Sequence, residues 1–150
     1  MAGVYRTVVV GTDGSDTSFR AVDRAAALAR DAGARLLIVS AYQPADDDSL
    51  TREKDILGAE SYQLVGSAPA EDNVGRARDR AARAGATRIE TVVLTGDPVD
   101  VLRQVAGQHE ADLIVVGNRG LNRLAGRILG SVPADIARRA GVDVLIVHTT

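Results

Sequence analysis

The 150-residue sequence contains no cysteine, and aromatic residues make up only 3 % of it. Without cysteine the chain can form no disulfide and offers no thiolate for chemistry. Its core has to be built from Val, Leu, Ile and Ala, and a chain of this length can bury enough of them for one domain. We therefore expect a single domain over residues 1–150.

The sequence also lacks the segments that carry a protein to or through a membrane. No apolar run reaches the ~18 residues of a transmembrane helix, and after Met1 the chain passes almost directly into a strand pattern, without a signal peptide. The formal net charge of −2 gives no basic footprint for nucleic acid. We expect a cytoplasmic protein that binds neither a membrane nor nucleic acid.

Several motifs that carry known chemistry are missing. Lys54 is the only lysine and lies far from any glycine-rich stretch, which excludes the P-loop GxxxxGKS/T. The dinucleotide motif GxGxxG and the nucleophile motif GxSxG do not occur either. His109 and His148 have no ligand partner nearby in the sequence, and the consecutive side chains of 46–48, all Asp, do not converge on one ion. We identify no catalytic residue and no metal site.

The hydrophobic pattern alternates between strands and helices along the chain. This alternation predicts a doubly wound α/β sheet with right-handed crossovers, but it does not fix the order of the strands. The predicted strands are Thr7–Val10, Arg35–Ala41, Arg88–Leu94, Leu113–Val116 and Val142–His148, and the predicted helices are about Asp16–Asp31, Ala70–Ala84, Pro98–Glu110 and Val132–Ala140.

Local signals mark the ends of these elements. Ser15 or Thr17 can cap the first helix and Gly33 can end it. Asp97 suits the cap of the third helix, with Pro98 at its first position. Residues 43–66 show little periodicity and include the acidic run, so we expect a long mobile surface loop there.

The stretch Asp112–Ser131 has the features of a phosphate-binding loop. A buried strand is followed by Gly117 and Gly120, and Gly130-Ser131 leads into a helical pattern. Glycines let backbone N–H groups approach an anion, and the first N–H groups of a helix have no partner within it. The alternative is that the glycines only form turns and Ser131 only caps the helix. Further donors are available nearby from Arg119, Asn122, Arg123 and Arg127.

Asp13 lies in the turn Gly11–Ser15 that follows the first strand. A carboxylate at the end of a central strand can accept a hydrogen bond from a ribose hydroxyl or an adenine amine. An aspartate in this place can equally serve only the turn before the helix. The residues alone leave both interpretations open.

The spacing G-x2-G-x9-G-S of Gly117, Gly120, Gly130 and Ser131 resembles the nucleotide motif of the ATP-binding universal stress proteins. The likeness extends to VVVGTDGS, ARLLIVSAY and the closing SVPADIARRAGVDVLIVHT, and so covers most of the chain. It implies a Rossmann-like five-stranded sheet in the order 3-2-1-4-5, with the ligand at the switch point between the first and fourth strands. The nucleotide-binding residues that it implies are Gly11, Thr12, Asp13, Ala41 (through its backbone), Val116, Gly117, Asn118, Arg119, Gly120, Gly130, Ser131 and Val132.

The resemblance and the motif together favour a regulatory module of the stress response that binds an adenine nucleotide, ATP or cAMP. Mg²⁺ held through the phosphates is compatible with this function. The alternative is a slow ATPase of the same fold. Binding is favoured because phosphate donors are evident, whereas no base or nucleophile is.

The last predicted strand, Val142–His148, bears on assembly. In the implied order it lies at an edge of the sheet, where unpaired backbone groups invite pairing with another chain. It carries one charge, Asp143, and neither proline nor lysine. We expect a homodimer through this strand about a two-fold axis, the alternative being that the tail or the mobile loop covers the edge.

Overall fold

The computed structural model describes residues 4–43, 67–118 and 131–149, without the side chains of 131 and 132. These ranges contain five strands, each close to its predicted position. They are β1 (Thr7–Gly11), β2 (Arg35–Tyr42), β3 (Arg88–Thr95), β4 (Leu113–Gly117) and β5 (Asp143–Val147). All but one residue of the predicted loop 43–66 lies outside the described residues, as do the aspartates of 46–48 and Lys54.

The five strands form one parallel sheet in the order β3-β2-β1-β4-β5, which confirms the implied topology. In register, Val10 of β1 lies opposite Ile38 of β2 on one side and Val115 of β4 on the other. The three central strands are nearly all buried, as expected for a parallel sheet covered on both faces. The chain adds β2 and β3 on one side of β1 and then β4 and β5 on the other side, so the strand order reverses between β1 and β4.

Four helices connect the described strands: α1 (Asp16–Ala32), α2 (Ser67–Arg83), α3 (Pro98–Gln108) and α4 (Ser131–Arg139). Ser15, not Thr17, caps α1, because its side chain accepts a hydrogen bond from the N–H of Ser18. Gly33 ends α1 in the left-handed conformation with φ 66°, and Asp97 caps α3 ahead of Pro98. The cap predictions at Gly33 and Asp97 are therefore confirmed.

Two element ends differ from the sequence prediction for identifiable reasons. Helix α3 ends at Gln108 and not at Glu110, because Glu110 adopts a left-handed conformation with φ 53° that stops the helical ladder. Helix α2 begins at Ser67, three residues earlier than predicted. Pro69 lies within its first turn, where the missing N–H has no partner to lose.

The core has one layer on each face of the sheet. Val8 and Val10 of β1 point to the layer under α1 and α2, whereas Val9 points to the layer under α3 and α4. All three are fully buried. Burial of a side chain of this size contributes about 1.5–3 kcal/mol, so the interior of β1 anchors both layers.

Polar contacts join the helices within each layer. The guanidinium of Arg80 on α2 donates two hydrogen bonds to the carboxylate of Asp23 on α1 and lies 5.3 Å from the centroid of the Phe19 ring. On the other face, Arg139 of α4 donates to Asp100 of α3. No helix in the described ranges has the length and apolarity to cross a membrane.

Candidate functional site

The carboxyl ends of β1 and β4 lie side by side at the point where the strand order reverses. Gly11 ends β1 and Gly117 ends β4, so the two turns singled out in the sequence begin at the same edge of the sheet. In open α/β sheets the crevice beyond such a reversal is the usual place for a ligand. The fold therefore brings together the Asp13 turn and the start of the glycine motif.

An open pocket lies at this edge, beside the ends of β1 and β2. Its empty volume is about 230 Å³, which includes space open to solvent. The lining is apolar apart from one hydroxyl residue, a composition typical of small-molecule sites. It consists of Gly11, Thr12, Val39, Ala41, Pro98, Val101 and Leu102.

Three of the predicted site residues, Gly11, Thr12 and Ala41, line this pocket. The wall that α3 supplies, which includes Pro98 and Leu102, was not predicted from the sequence. Val101 and Leu102 are adjacent and both buried, so the apolar stripe of α3 is wider than a single inward-facing row. An apolar stripe of this width, visible in the sequence, indicates that some of its side chains contact something other than the sheet.

Asp13 adopts an Asx-turn ahead of α1. Its Oδ1 accepts hydrogen bonds from the N–H of Ser15 at 2.9 Å and from the hydroxyl of Ser15 at 2.5 Å. The turn role considered in the sequence analysis is thus present. The Asx-turn occupies one carboxylate oxygen of Asp13, Oδ1. Among the described residues Oδ2 has no hydrogen-bond partner, so a ligand-binding role is still open to it.

A chain of buried hydroxyls fixes the same turn from below. The N–H of Gly14 donates to Thr12 Oγ1 at 3.1 Å, and Thr12 Oγ1 lies 2.8 Å from Ser18 Oγ. The hydroxyl of Ser18 donates its single proton to the carbonyl oxygen of Ser15 at 2.9 Å. Thr12 must therefore donate to Ser18. Both side chains are 2 % exposed, so these bonds are shielded from water.

Asn73 reaches the turn from helix α2. Its Nδ2 donates to the carbonyl oxygen of Asp13 at 3.2 Å, and the side chain is largely buried. Asn73 was not predicted from the sequence, because an asparagine within an amphipathic helix gives no local sign of a partner sixty residues away.

On the β4 side, Asn118 is tied to the carboxyl-terminal segment. Its backbone N–H donates to the carbonyl of Val147 at 2.9 Å. Its Oδ1 accepts from the N–H and hydroxyl of Thr149, at 3.0 and 2.8 Å, and Nδ2 lies 3.2 Å from His148 Nδ1. Thr149 in turn is 1 % exposed and accepts a hydrogen bond from Arg20. Asn118, the residue that follows the first glycine of the motif, is thus held by the segment at the end of β5.

The remaining predicted residues are only partly described. Val116 is fully buried in β4, next to Gly117. Ser131 and Val132 begin α4, so the predicted helix start after the glycine motif is present, although their side chains are not described. Arg119, Gly120 and Gly130 lie outside the described residues, together with Asn122, Arg123 and Arg127.

Two described side chains have a shifted pKa, and both lie outside the crevice. The phenol of Tyr5 donates to Asp143 Oδ2 at 2.9 Å, and this bond to a carboxylate raises the pKa of Tyr5. The hydrogen bond with Asp23 raises the pKa of Arg80, against the opposing effect of burial. Within the described ranges no three His, Cys, Asp or Glu residues cluster as a metal site would require.

The comparisons with known proteins agree on one family. The model of the Universal stress protein family matches residues 4–148. A universal stress protein of Mycobacterium tuberculosis is 56 % identical over 146 residues, which cover 97 % of this chain and 98 % of the relative. One from Thermus aquaticus is 33 % identical over 145 residues, 97 % of this chain and 100 % of the relative.

Solved structures give the same picture. A crystal structure of a universal stress protein in complex with cAMP is 53 % identical, with a TM-score of 0.78 and coverage of 99 % of this chain and 100 % of the other. A universal stress protein from Archaeoglobus fulgidus has a TM-score of 0.68 at 24 % identity, over 95 % of this chain and 93 % of the other, and shows the same fold.

Proposed function

This chain belongs to the universal stress protein family, and we propose that it is a regulatory module of the stress response that binds an adenine nucleotide, ATP or cAMP, in the cytoplasm. The observation that carries the proposal is the apolar pocket beside the carboxyl ends of β1 and β2, on the edge of the sheet where the Asp13 turn and the glycine motif begin. The cAMP complex of a protein 53 % identical over nearly the whole chain supports it.

In this proposal the pocket takes the base. Gly11, Thr12 and Ala41 line it, and the wall from α3 supplies apolar contact to one face of a flat ring. The backbone of Ala41 offers polar groups to the adenine edge, and Oδ2 of Asp13 accepts a hydrogen bond from the ribose or the base.

In the same proposal the glycine motif, from Gly117 to Val132, binds the phosphates. Helix α4 begins at Ser131, and the first N–H groups of a helix, together with the positive end of its dipole, favour a bound anion. Mg²⁺ accompanying ATP would be held mainly through phosphate oxygens, since this ion binds by few protein carboxylates and keeps several waters.

Titration calorimetry of the purified protein with ATP, cAMP and GTP tests the proposal. We expect binding of ATP or cAMP, weaker binding of GTP, and weakening by Ser131→Ala that corresponds to one lost hydrogen bond, on the order of 1–3 kcal/mol. Gly130→Asp should weaken binding further, because it adds negative charge at the phosphates. The absence of any binding by the wild-type protein, or wild-type affinity in Gly130→Asp, would contradict the assignment.

Steady-state kinetics addresses the alternative of a slow ATPase. We expect ATP turnover to be absent or far below the enzyme median of about 10 s⁻¹, because the sequence offers phosphate donors without a recognisable base. Turnover near that median would favour the enzyme.

We further propose a homodimer through β5. This strand pairs only with β4 in the described sheet, and its Ile146 is 43 % exposed. The N–H of Asn118 donates to the carbonyl of Val147. By the alternation of a parallel ladder, the odd-numbered residues of β5 face β4 and the backbone groups of Val144 and Ile146 face the open edge. The same strand of a second copy can pair with them about a two-fold axis.

Val144→Pro removes a donor from the open edge without touching the β4 ladder, so it should give a folded monomer. Leu145→Pro removes a donor that faces β4 and should destabilise the fold itself. Leu145→Lys should also disrupt the dimer if the partner covers this half-buried side chain. Light scattering at micromolar concentration measures the assembly, and a monomeric wild-type protein would refute the arrangement.

A further inference from the structure

Asn73 is a buried amide on a helix face that otherwise packs apolar side chains. Its residue is 8 % exposed, and the hydrogen bond from Nδ2 to the carbonyl of Asp13 crosses from α2 to the β1–α1 turn. Burying an amide costs free energy unless it is hydrogen-bonded. This hydrogen bond therefore explains why an asparagine occupies a position that α2 could fill with another apolar residue. The other buried residues of α2 are Ala70, Val74, Ala77 and Ala81.

Gly14 is shaped to receive this amide. Its φ of 83° is one that side-chain-bearing residues rarely adopt, and a Cβ there would lie 2.3–2.6 Å from the amide atoms of Asn73. The turn and the amide thus pack against each other without room for one added carbon. Asn73 is thus bonded to the carbonyl of Asp13 and occupies the space that a side chain at the next residue, Gly14, would need.

We infer that Asn73 is a positioning residue for nucleotide binding, acting through Asp13. This inference rests on the proposed function, in which Asp13 contacts the nucleotide. The aspartate is held at Oδ1 by Ser15, and its peptide to Gly14 is held at the N–H by Thr12 and at the carbonyl by Asn73. Without Asn73 only the N–H side of this peptide keeps its hydrogen bond, so the carbonyl can tilt and Oδ2 is held less precisely even though the Asx-turn survives. Errors of this kind in the placement of a binding group cost affinity steeply.

Calorimetric titration of Asn73→Ala and Asn73→Asp with ATP and cAMP tests the inference. We expect the affinity for the bound nucleotide to fall about ten-fold in Asn73→Ala, the equivalent of one hydrogen bond. Asn73→Asp keeps the shape but replaces the donor by a carboxylate next to a carbonyl oxygen, so it should bind at least as weakly. Wild-type affinity in Asn73→Asp would show that the residue only fills space, and would overturn the inference.

Val74→Ala is the matched control. Val74 is the next residue on α2, is 4 % exposed, and packs into the core under α1. Its truncation should lower the thermal midpoint while leaving nucleotide affinity unchanged. If Val74→Ala weakens binding as much as Asn73→Ala does, the effect comes from general loosening of α2 and the inference is wrong.

A double-mutant cycle with Asp13→Ala shows whether Asn73 acts through the aspartate. In the Asp13→Ala background, Asn73→Ala should change the affinity by less than about two-fold, because no carboxylate remains to be positioned. Independent, additive losses would contradict the inference. If the wild-type protein binds no adenine nucleotide, the proposed function fails. If it binds and the Asn73 variants bind equally well, only the inference fails.

Discussion

Thr12→Val tests the buried hydroxyl chain at the end of β1. The substitution replaces one hydroxyl by a methyl group of similar size, so packing is nearly conserved. It removes two hydrogen bonds: the one that Thr12 Oγ1 accepts from the N–H of Gly14 and the one it donates to Ser18 Oγ. Thr12 and Ser18 are each 2 % exposed, so water cannot easily replace the lost partner at the Ser18 oxygen.

A net loss of about 1 kcal/mol for each bond gives about 2 kcal/mol in the free energy of unfolding. At roughly 2.1 cal/mol/K per residue, the unfolding entropy of 150 residues is about 0.3 kcal/mol/K. The thermal midpoint should therefore fall by about 6 °C. Calorimetric or circular-dichroism melts measure this directly.

Thr7→Val is the matched control, because it makes the same change at the opposite end of β1. Thr7 is 8 % exposed, and its hydroxyl makes no hydrogen bond to another described residue; only its backbone contacts Asp112. Its unfolding free energy should change by less than about 0.5 kcal/mol, as at sites without a specific interaction. Equal midpoints for Thr12→Val and the wild type, or equal losses in the two variants, would refute the hydroxyl chain as a source of stability.

Two further predictions concern the pocket and the opposite end of the sheet. Gly11→Ala places a Cβ 3.3 Å from Leu102 in the pocket lining, so nucleotide affinity measured by calorimetry should fall. A larger residue at Ala41, also in the lining, should lower the affinity likewise. Unchanged affinity would show that the base does not bind in this pocket. The pKa of Tyr5 is raised above 10.0 by its bond to Asp143, so the stability that it contributes is present below that pH and is lost as pH rises through the higher folded-state value. In Asp143→Asn, ultraviolet titration should show the phenol ionising at lower pH than in the wild type, with Tyr5→Phe identifying the signal.

The fold was predictable because its signals are local. Apolar runs such as Leu113–Val116 mark central strands, and Gly33 and Asp97 mark helix ends with one residue each. The order of the strands has no local signal in the sequence. Right-handed crossovers permit several orders, and only the resemblance to the family supplied the one that the sheet has.

The candidate site was predictable to the extent that its residues follow strand ends. Gly11, Thr12 and Ala41 were implied by the resemblance to the family, and each lies at or just beyond the carboxyl end of a central strand. Asn73 and Leu102 were missed because they belong to helices, and a helical pattern does not tell which part of the buried face meets the sheet and which part meets a loop. That distinction depends on tertiary packing over long sequence separations.

The two proposed contacts of this chain, with a nucleotide and with a second copy, meet at Asn118. This residue follows Gly117, the first glycine of the motif. Its backbone is bonded to Val147, the last residue of the edge strand β5, and its side chain to Thr149 just beyond that strand. If phosphate binding shifts Asn118, the shift is passed by hydrogen bonds to the strand that would form the dimer. We therefore expect nucleotide to change the dimer dissociation constant and, by linkage, dimerisation to change nucleotide affinity by the same factor per site. Sedimentation with and without nucleotide measures the change in the dimer dissociation constant. Calorimetry at several protein concentrations measures the change in nucleotide affinity. Asn118→Ala should reduce both factors together, whereas a factor that persists in this variant would require another route between the two sites.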